Sequence, residues 1–186
     1  MPIRPLARLL RPVRAGINRT TWHHPATVGA PETIKLTSDA FHEDAPIPIR
    51  HAGKGVGDDI SPHLRWTGVP PGTAELVLII EDPDVPLPRP IVHGVFTGID
   101  PSRTEIAEGA LALGTGMRVG TGAFGRRGYA GPRPIPGHGP HHYIFQLYAL
   151  DKRSDLPDGA SLTDTLAAID GHIIARGSLT GTYERP

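Results

Sequence analysis

A chain of 186 residues has the length of one domain, long enough to bury about 70% of its unfolded surface. Lys and Arg total 19 and Asp and Glu total 19, which argues against a chain-wide cationic nucleic-acid binder. The lack of cysteine excludes a disulfide framework and any thiolate metal centre. No apolar run has membrane-spanning or signal-peptide length, so a soluble cytoplasmic protein is the expectation.

Residues 1–30 form a basic arm holding Arg4, Arg8, Arg11, Arg14 and Arg19, and the first acid is Glu32. Removing those five from the 19 basic residues leaves 14 against 19 acids, so the neutral total hides an asymmetry. Leu6, Leu9, Leu10, Val13 and Ile17 recur at helical spacing, with Pro12 set to kink or stop the helix. The arm reads as a segment packed on the body or on a second subunit. Peripheral contact of residues 1–22 with a membrane surface is the alternative.

The body, residues 31–186, alternates apolar β-branched runs with Gly and Pro clusters. Glycine (23) and proline (21) make up nearly a quarter of the chain, against an average of ~12%. Thr33–Thr37 reads as a strand, and residues 41–50 as a turn with a proline-broken edge strand. Residues 75–81 form a continuous apolar run suited to a central strand buried on both faces. Ile91–Thr97 is a further strand, in which alternation sets Ile91, His93 and Val95 on one face. A long Gly-rich loop covers 109–142, and loops of that length are usually functional or disordered. Tyr143–Leu150 reads as a strong strand. Ser161 caps a helix with Asp164 in its first turn, and Arg176–Tyr183 closes the chain as a strand. The pattern predicts a mainly β fold: an antiparallel β-sandwich with one C-terminal helix and a long Gly-rich loop.

Three places could carry chemistry. Glu81-Asp82-Pro83-Asp84-Val85-Pro86 follows the buried strand and holds its carboxylates on a stiff turn. As a plain solvated turn, Asp82 and Asp84 would bond neighbouring backbone N–H groups. His93 lies inside an apolar strand, where a lone histidine is usually a satisfied core residue. Gly94 beside it leaves room for close approach. Gly137-His-Gly-Pro-His-His-Tyr143 offers His138, His141 and His142 in a glycine-rich turn, either an anion nest or a histidine-rich surface turn. All three lie near predicted strand ends, and the strands of one sandwich place their ends on one rim. There Asp82 could accept from an imidazole N–H and favour its protonated form.

At these residues the sequence resembles the phosphatidylethanolamine-binding protein family, also called the Raf kinase inhibitor protein family, and its bacterial branch in particular. The matching stretches are Ile60-Ser-Pro-His-Leu-Arg-Trp66 with Val69-Pro-Pro-Gly72, Glu81-Asp-Pro-Asp-Val-Pro86, Val92-His93, Tyr129-Ala-Gly-Pro132, Pro136-Gly-His-Gly-Pro-His-His-Tyr143 and Leu179-Thr-Gly-Thr-Tyr183. The resemblance implies a rim pocket for phosphate-like anions, with Asp82, Pro83, Asp84, His93, Gly131, Pro132, His141 and Tyr143 as its ligand-binding residues. Two positions depart from the family pattern. Gly94 stands where a bulky aromatic is common, which would widen the pocket. His142 stands where an arginine is common, which would make anion binding weaker and more pH-sensitive.

The function these readings imply is non-catalytic binding of a phosphate-like or carboxylate group on a phospholipid head group, metabolite or phosphorylated partner. In that picture Asp82 orients His93, with His141 as a second candidate, Tyr143 donates its phenol, and backbone N–H groups of residues 129–142 complete a cradle. No cofactor is expected. The alternatives are an inhibitor of a kinase or protease acting through the same rim, and a metalloenzyme with Asp82, His93 and His141 as ligands. A homodimer is the expected assembly.

Overall fold

The computed structural model describes residues 7–185. Among the described residues nine strands form two sheets: β1 (Lys35–Thr37), β2 (Ala45–Pro46), β3 (Leu64–Thr67), β4 (Glu75–Asp82), β5 (Ile91–Ile99), β6 (Glu105–Ile106), β7 (Arg118–Val119), β8 (His141–Leu150) and β9 (Ile173–Tyr183). The small sheet has the order β1-β3-β6, and the large one β2-β9-β8-β4-β5-β7. All neighbours pair antiparallel except β2, which lies parallel to β9 through Ala45 and Pro46. That pairing departs from the purely antiparallel expectation, and its shortness agrees with Pro46 and Pro48 limiting ladder donors on an edge.

The apolar run of β4 is explained by its neighbours. β5 and β8 flank it, and all eight of its residues are buried. Leu76, Leu78 and Ile80 point into the core shared with Leu36, Leu64, Trp66 and Ile106 of the small sheet. Val77 and Ile79 point the other way, into a second cluster with Val95, Tyr148, Leu150 and Ile169. Ile169 belongs to the helix that covers this outer face. A helix of four residues, α1, spans Pro25–Val28, and the covering helix, α2, spans Leu162–Ile169. Ser161 and Asp164 form a reciprocal capping box at the α2 start, as its sequence predicts.

Residues 7–30 take a path that departs from the helical expectation. Helical backbone at residues 7–9 gives way to a turn at 10–12, where Pro12 ends it. Leu9, Val13 and Ile17 of the expected stripe are exposed, while Ala7 and Ala15 are buried. Leu6 lies outside the described residues. The segment is held mainly by polar links. Ala15 N–H donates to the Val85 carbonyl (2.8 Å) and Gly16 N–H to that of Pro83 (2.9 Å). Farther on, Trp22 packs on Tyr148, and the Arg176 guanidinium lies 3.9 Å above the Trp22 ring. Among the described residues no helix is long and apolar enough to cross a membrane.

Candidate functional site

A pocket of about 520 Å³ opens where β4, β5 and β8 end. Asp82, His93, Gly131, His141 and Tyr143 line it. Pro83, Asp84 and Pro132, also expected at the site, do not. Pro83 accepts from Gly16, Asp84 binds the arm and His142, and the Pro132 carbonyl accepts from Gly53 N–H (2.9 Å).

A β-bulge aims His93. Ile80 pairs with Gly94, but the next residue, Glu81, pairs with Val92, so His93 is the extra residue on β5. An unpaired residue reverses the alternation on either side of it. Val92 and Val95 therefore both pack in the outer cluster, and His93 turns to the opposite face. There its ring meets Tyr143 edge to face, with centroids 5.0 Å apart. The expected sharing of a face by His93 and Val95 is corrected by this register step. Gly94 does not widen the pocket, because the Phe96 ring already fills the space beside it. A Cβ at Gly94 would meet Phe96 Cε2 at 2.6 Å.

Asp82 orients His141, not His93. Its Oδ2 lies 2.7 Å from His141 Nδ1, and its Oδ1 accepts from Asp84 N–H at 2.8 Å. His93 is held instead by the Ala130 carbonyl, 2.6 Å from its Nδ1. A carbonyl only accepts, so Nδ1 carries the proton and Nε2 is left with the lone pair. Burial holds the His93 pKa below the usual imidazole value, with Asp82 opposing the shift, so the ring is neutral at neutral pH and Nε2 presents a lone pair.

Both His93 Nε2 and the Tyr143 hydroxyl are buried without a hydrogen-bond partner. Burial, and then the Asp82 carboxylate, push the phenol pKa far up, so Tyr143 keeps its proton and can donate it. Unpaired buried polar atoms cost about 1–3 kcal/mol each, and both residues that carry them line the same cavity.

The glycine-rich loop offers less than expected. The N–H groups of Tyr129, Ala130, Gly137 and His138 donate to backbone carbonyls, and that of Gly131 to Asp59 Oδ1 (2.7 Å). They are not free to cradle an anion. Gly131 is required for a different reason: a Cβ there would meet the His51 carbonyl oxygen at 2.2 Å. His142 is half exposed and spends its ring on Asp84 (2.7 Å), which also pairs with Arg14 of the arm. Burial opposes ionisation of Asp84, but the His142 N–H and ring and the Arg14 guanidinium outweigh it and lower its pKa.

Of the three ligands the metalloenzyme alternative names, His93 Nε2 is without a partner, while His141 is engaged at both ring nitrogens. His141 Nδ1 serves Asp82 and its Nε2 faces His138 Nδ1 at 2.8 Å. No group of three potential metal ligands is assembled among the described residues.

Among the pocket residues that escaped the sequence reading are Arg126, Arg133 and Phe124. Phe124 is 85% exposed with φ of 57°, a left-handed conformation that costs a bulky residue about 1–3 kcal/mol and clusters at functional sites. Gly122 and Gly125 around it are the one signal the sequence carries.

The fold is two-sheeted and mainly β, with His93 and Tyr143 in a pocket at its strand ends. Residues 37–184 match the phosphatidylethanolamine-binding protein family, and the chain belongs to it. It is 40% identical over 162 residues to a UPF0098 protein of Pyrococcus abyssi, covering 84% of this chain and 88% of the relative. Among solved structures it is similar to the phosphatidylethanolamine-binding protein homologue CT736 of Chlamydia trachomatis, with a TM-score of 0.75 and 37% identity over 83% of this chain and 99% of that one. It is also similar to YbcL of E. coli, with a TM-score of 0.77 and 28% identity over the same shares.

Proposed function

We propose that the chain binds a small phosphate-like or carboxylate anion non-covalently in this pocket, with Tyr143 O–H as donor and His93 Nε2 as its second polar contact. The observation that carries this is the pair of buried, unpartnered atoms on two residues that line one cavity. A neutral His93 accepts from a ligand that keeps a proton, such as a phosphate monoester. A diester or carboxylate instead requires His93 to take up a proton and donate. Arg126 and Arg133 add positive potential at the wall. Arg126 is shared with Asp59 (2.7 Å). Each charge-assisted bond contributes about 1.5–3 kcal/mol. After the cost of association this leaves micromolar to millimolar affinity. Calorimetric titration with inorganic phosphate and O-phosphoethanolamine tests it. Saturable binding that weakens in Tyr143→Phe supports the reading, and no heat at tens of millimolar ligand sinks it.

The arm carries a second reading. Leu9, Val13 and Ile17 are exposed beside Arg8, Arg11 and Arg14, a combination suited to an anionic lipid surface. Co-sedimentation of the full chain with phosphatidylglycerol vesicles, lost in Leu9→Ser/Val13→Ser, is the expected result. Sedimentation unchanged by that double substitution refutes it.

A further inference from the structure

Behind the pocket, four groups stand in line. Asp82 Oδ2 lies 2.7 Å from His141 Nδ1, His141 Nε2 lies 2.8 Å from His138 Nδ1, and His138 Nε2 lies 3.0 Å from the Leu10 carbonyl oxygen of the arm. The side chains of Asp82, His141 and His138 are all buried. Each of these three gaps is a hydrogen bond and holds one proton. The Leu10 carbonyl can only accept, so the last gap is filled from His138. A carboxylate with two neutral imidazoles carries two protons, and this line needs three.

We propose that His138, anchored by the Leu10 carbonyl, is a positioning residue that keeps one extra proton on the Asp82–His141 pair, so that the acid at the pocket base does not repel an anion. The groups facing the line are few. Arg11 donates to the Gly137 carbonyl beside His138 (3.0 Å), and Arg14 reaches the Pro140 carbonyl (3.2 Å). Asp84 with His142 lies at the β8 start, and His93, Tyr143, Arg126 and Arg133 face Asp82 and His141 across the pocket. Burial, the neighbouring His141 and Arg14 all push His138 toward its neutral form. The extra proton then rests between His141 and Asp82, either as imidazolium with carboxylate or as imidazole with carboxylic acid. Both arrangements leave the line uncharged.

The proton count stands by itself. Its consequence for ligands rests on the anion-binding reading above. The test is the ring-nitrogen NMR of full-length protein labelled with ¹⁵N-histidine, with Asp82 carboxyl ¹³C shifts, from pH 5 to 9. Three protons across Asp82, His141 and His138 at pH 7.5 are expected, and a count of two in the wild type overturns the proposal. The His138→Asn amide can donate to His141 Nε2 as readily as accept, so it keeps a hydrogen bond but releases the count. There the count across Asp82 and His141 at pH 7.5 should fall from two to one. A merely structural histidine would leave it at two, which also overturns the proposal. Phosphate affinity at pH 8 should fall by about tenfold or more in His138→Asn, as expected for one uncompensated charge nearby. If the proton count changes as stated while no variant nor wild type binds phosphate, the relay stands and the anion reading fails. If phosphate binds both proteins with the same pH profile, the effect of the relay on the anion is refuted and the anion reading survives.

Discussion

His93 and Tyr143 meet edge to face with ring centroids 5.0 Å apart, and each lines the same cavity and carries one unbonded buried polar atom. They come from β5 and β8, with β4 lying between those strands. The pocket therefore rests on a register detail of β5 that sets the direction of one histidine.

Tyr143→Phe removes an oxygen that makes no hydrogen bond within the protein. Stability should be unchanged or rise by up to about 1 kcal/mol, read from urea unfolding. Phosphate affinity should fall about tenfold. A loss of more than 1 kcal/mol of stability would show that the hydroxyl has an internal partner.

Anion binding should strengthen as pH falls. The free pocket holds His93 neutral at neutral pH, with its pKa below the ordinary 6.5 or so. A bound anion favours the imidazolium, so binding a diester or carboxylate takes up a proton. Calorimetry in buffers of different ionisation enthalpy measures that uptake, expected to be near one proton around neutral pH. Zero uptake combined with flat affinity would contradict the role given to His93. Stability follows the same shift: the unfolded state binds this proton more readily, so the His93 contribution is full above about pH 6.5 and is lost as pH falls toward the folded pKa.

Glu81 sits on the opposite face from Asp82, accepting from Thr21 N–H (2.6 Å) and Gln146 Nε2 (2.9 Å). Burial raises its pKa in spite of those bonds. Between the unfolded value, about 4.3, and the raised folded value, the folded state holds more protons than the unfolded. Stability therefore falls as pH rises through that window. Glu81→Gln should abolish this slope and be at least as stable as the wild type at pH 7. Melting temperatures from pH 4 to 8 check it, and a wild-type slope of the opposite sign would refute it.

Trp22 anchors the arm through Tyr148 and the Arg176 guanidinium. Trp22→Ala should cost about 2–3 kcal/mol, the low end for a large aromatic because the ring is only half buried. Hydrogen exchange at the Ala15 and Gly16 amides should speed up in parallel. Unchanged exchange would mean that the Val85 and Pro83 carbonyls hold the arm unaided.

Much of the scaffold is written locally. The continuous run of β4 forecasts burial on both faces, and the Ser161–Asp164 spacing forecasts the α2 cap, because each depends on neighbours a few residues away. The aim of His93 does not, since the bulge arises from pairing with a separate strand. Asp82 and His141 were paired only as one of several options, for imidazole tautomers depend on which carbonyl or carboxylate lies at the second nitrogen. The arm misled for a similar reason: helical spacing of leucines is visible in sequence, whereas Pro12 and the carbonyls of Pro83 and Val85 decide its path. His138 was visible as a histidine in a glycine-rich turn, but its tie to Leu10 crosses 128 residues.

The most direct measurement is a crystal structure of the full chain soaked in phosphate at pH 5.5 and at pH 7.5. An anion with one oxygen about 2.5–3.0 Å from the Tyr143 hydroxyl and another at hydrogen-bond distance from His93 Nε2 is the predicted result. Clear density for phosphate elsewhere, on the arginines of the arm for instance, with this pocket holding only water at both pH values, would contradict it.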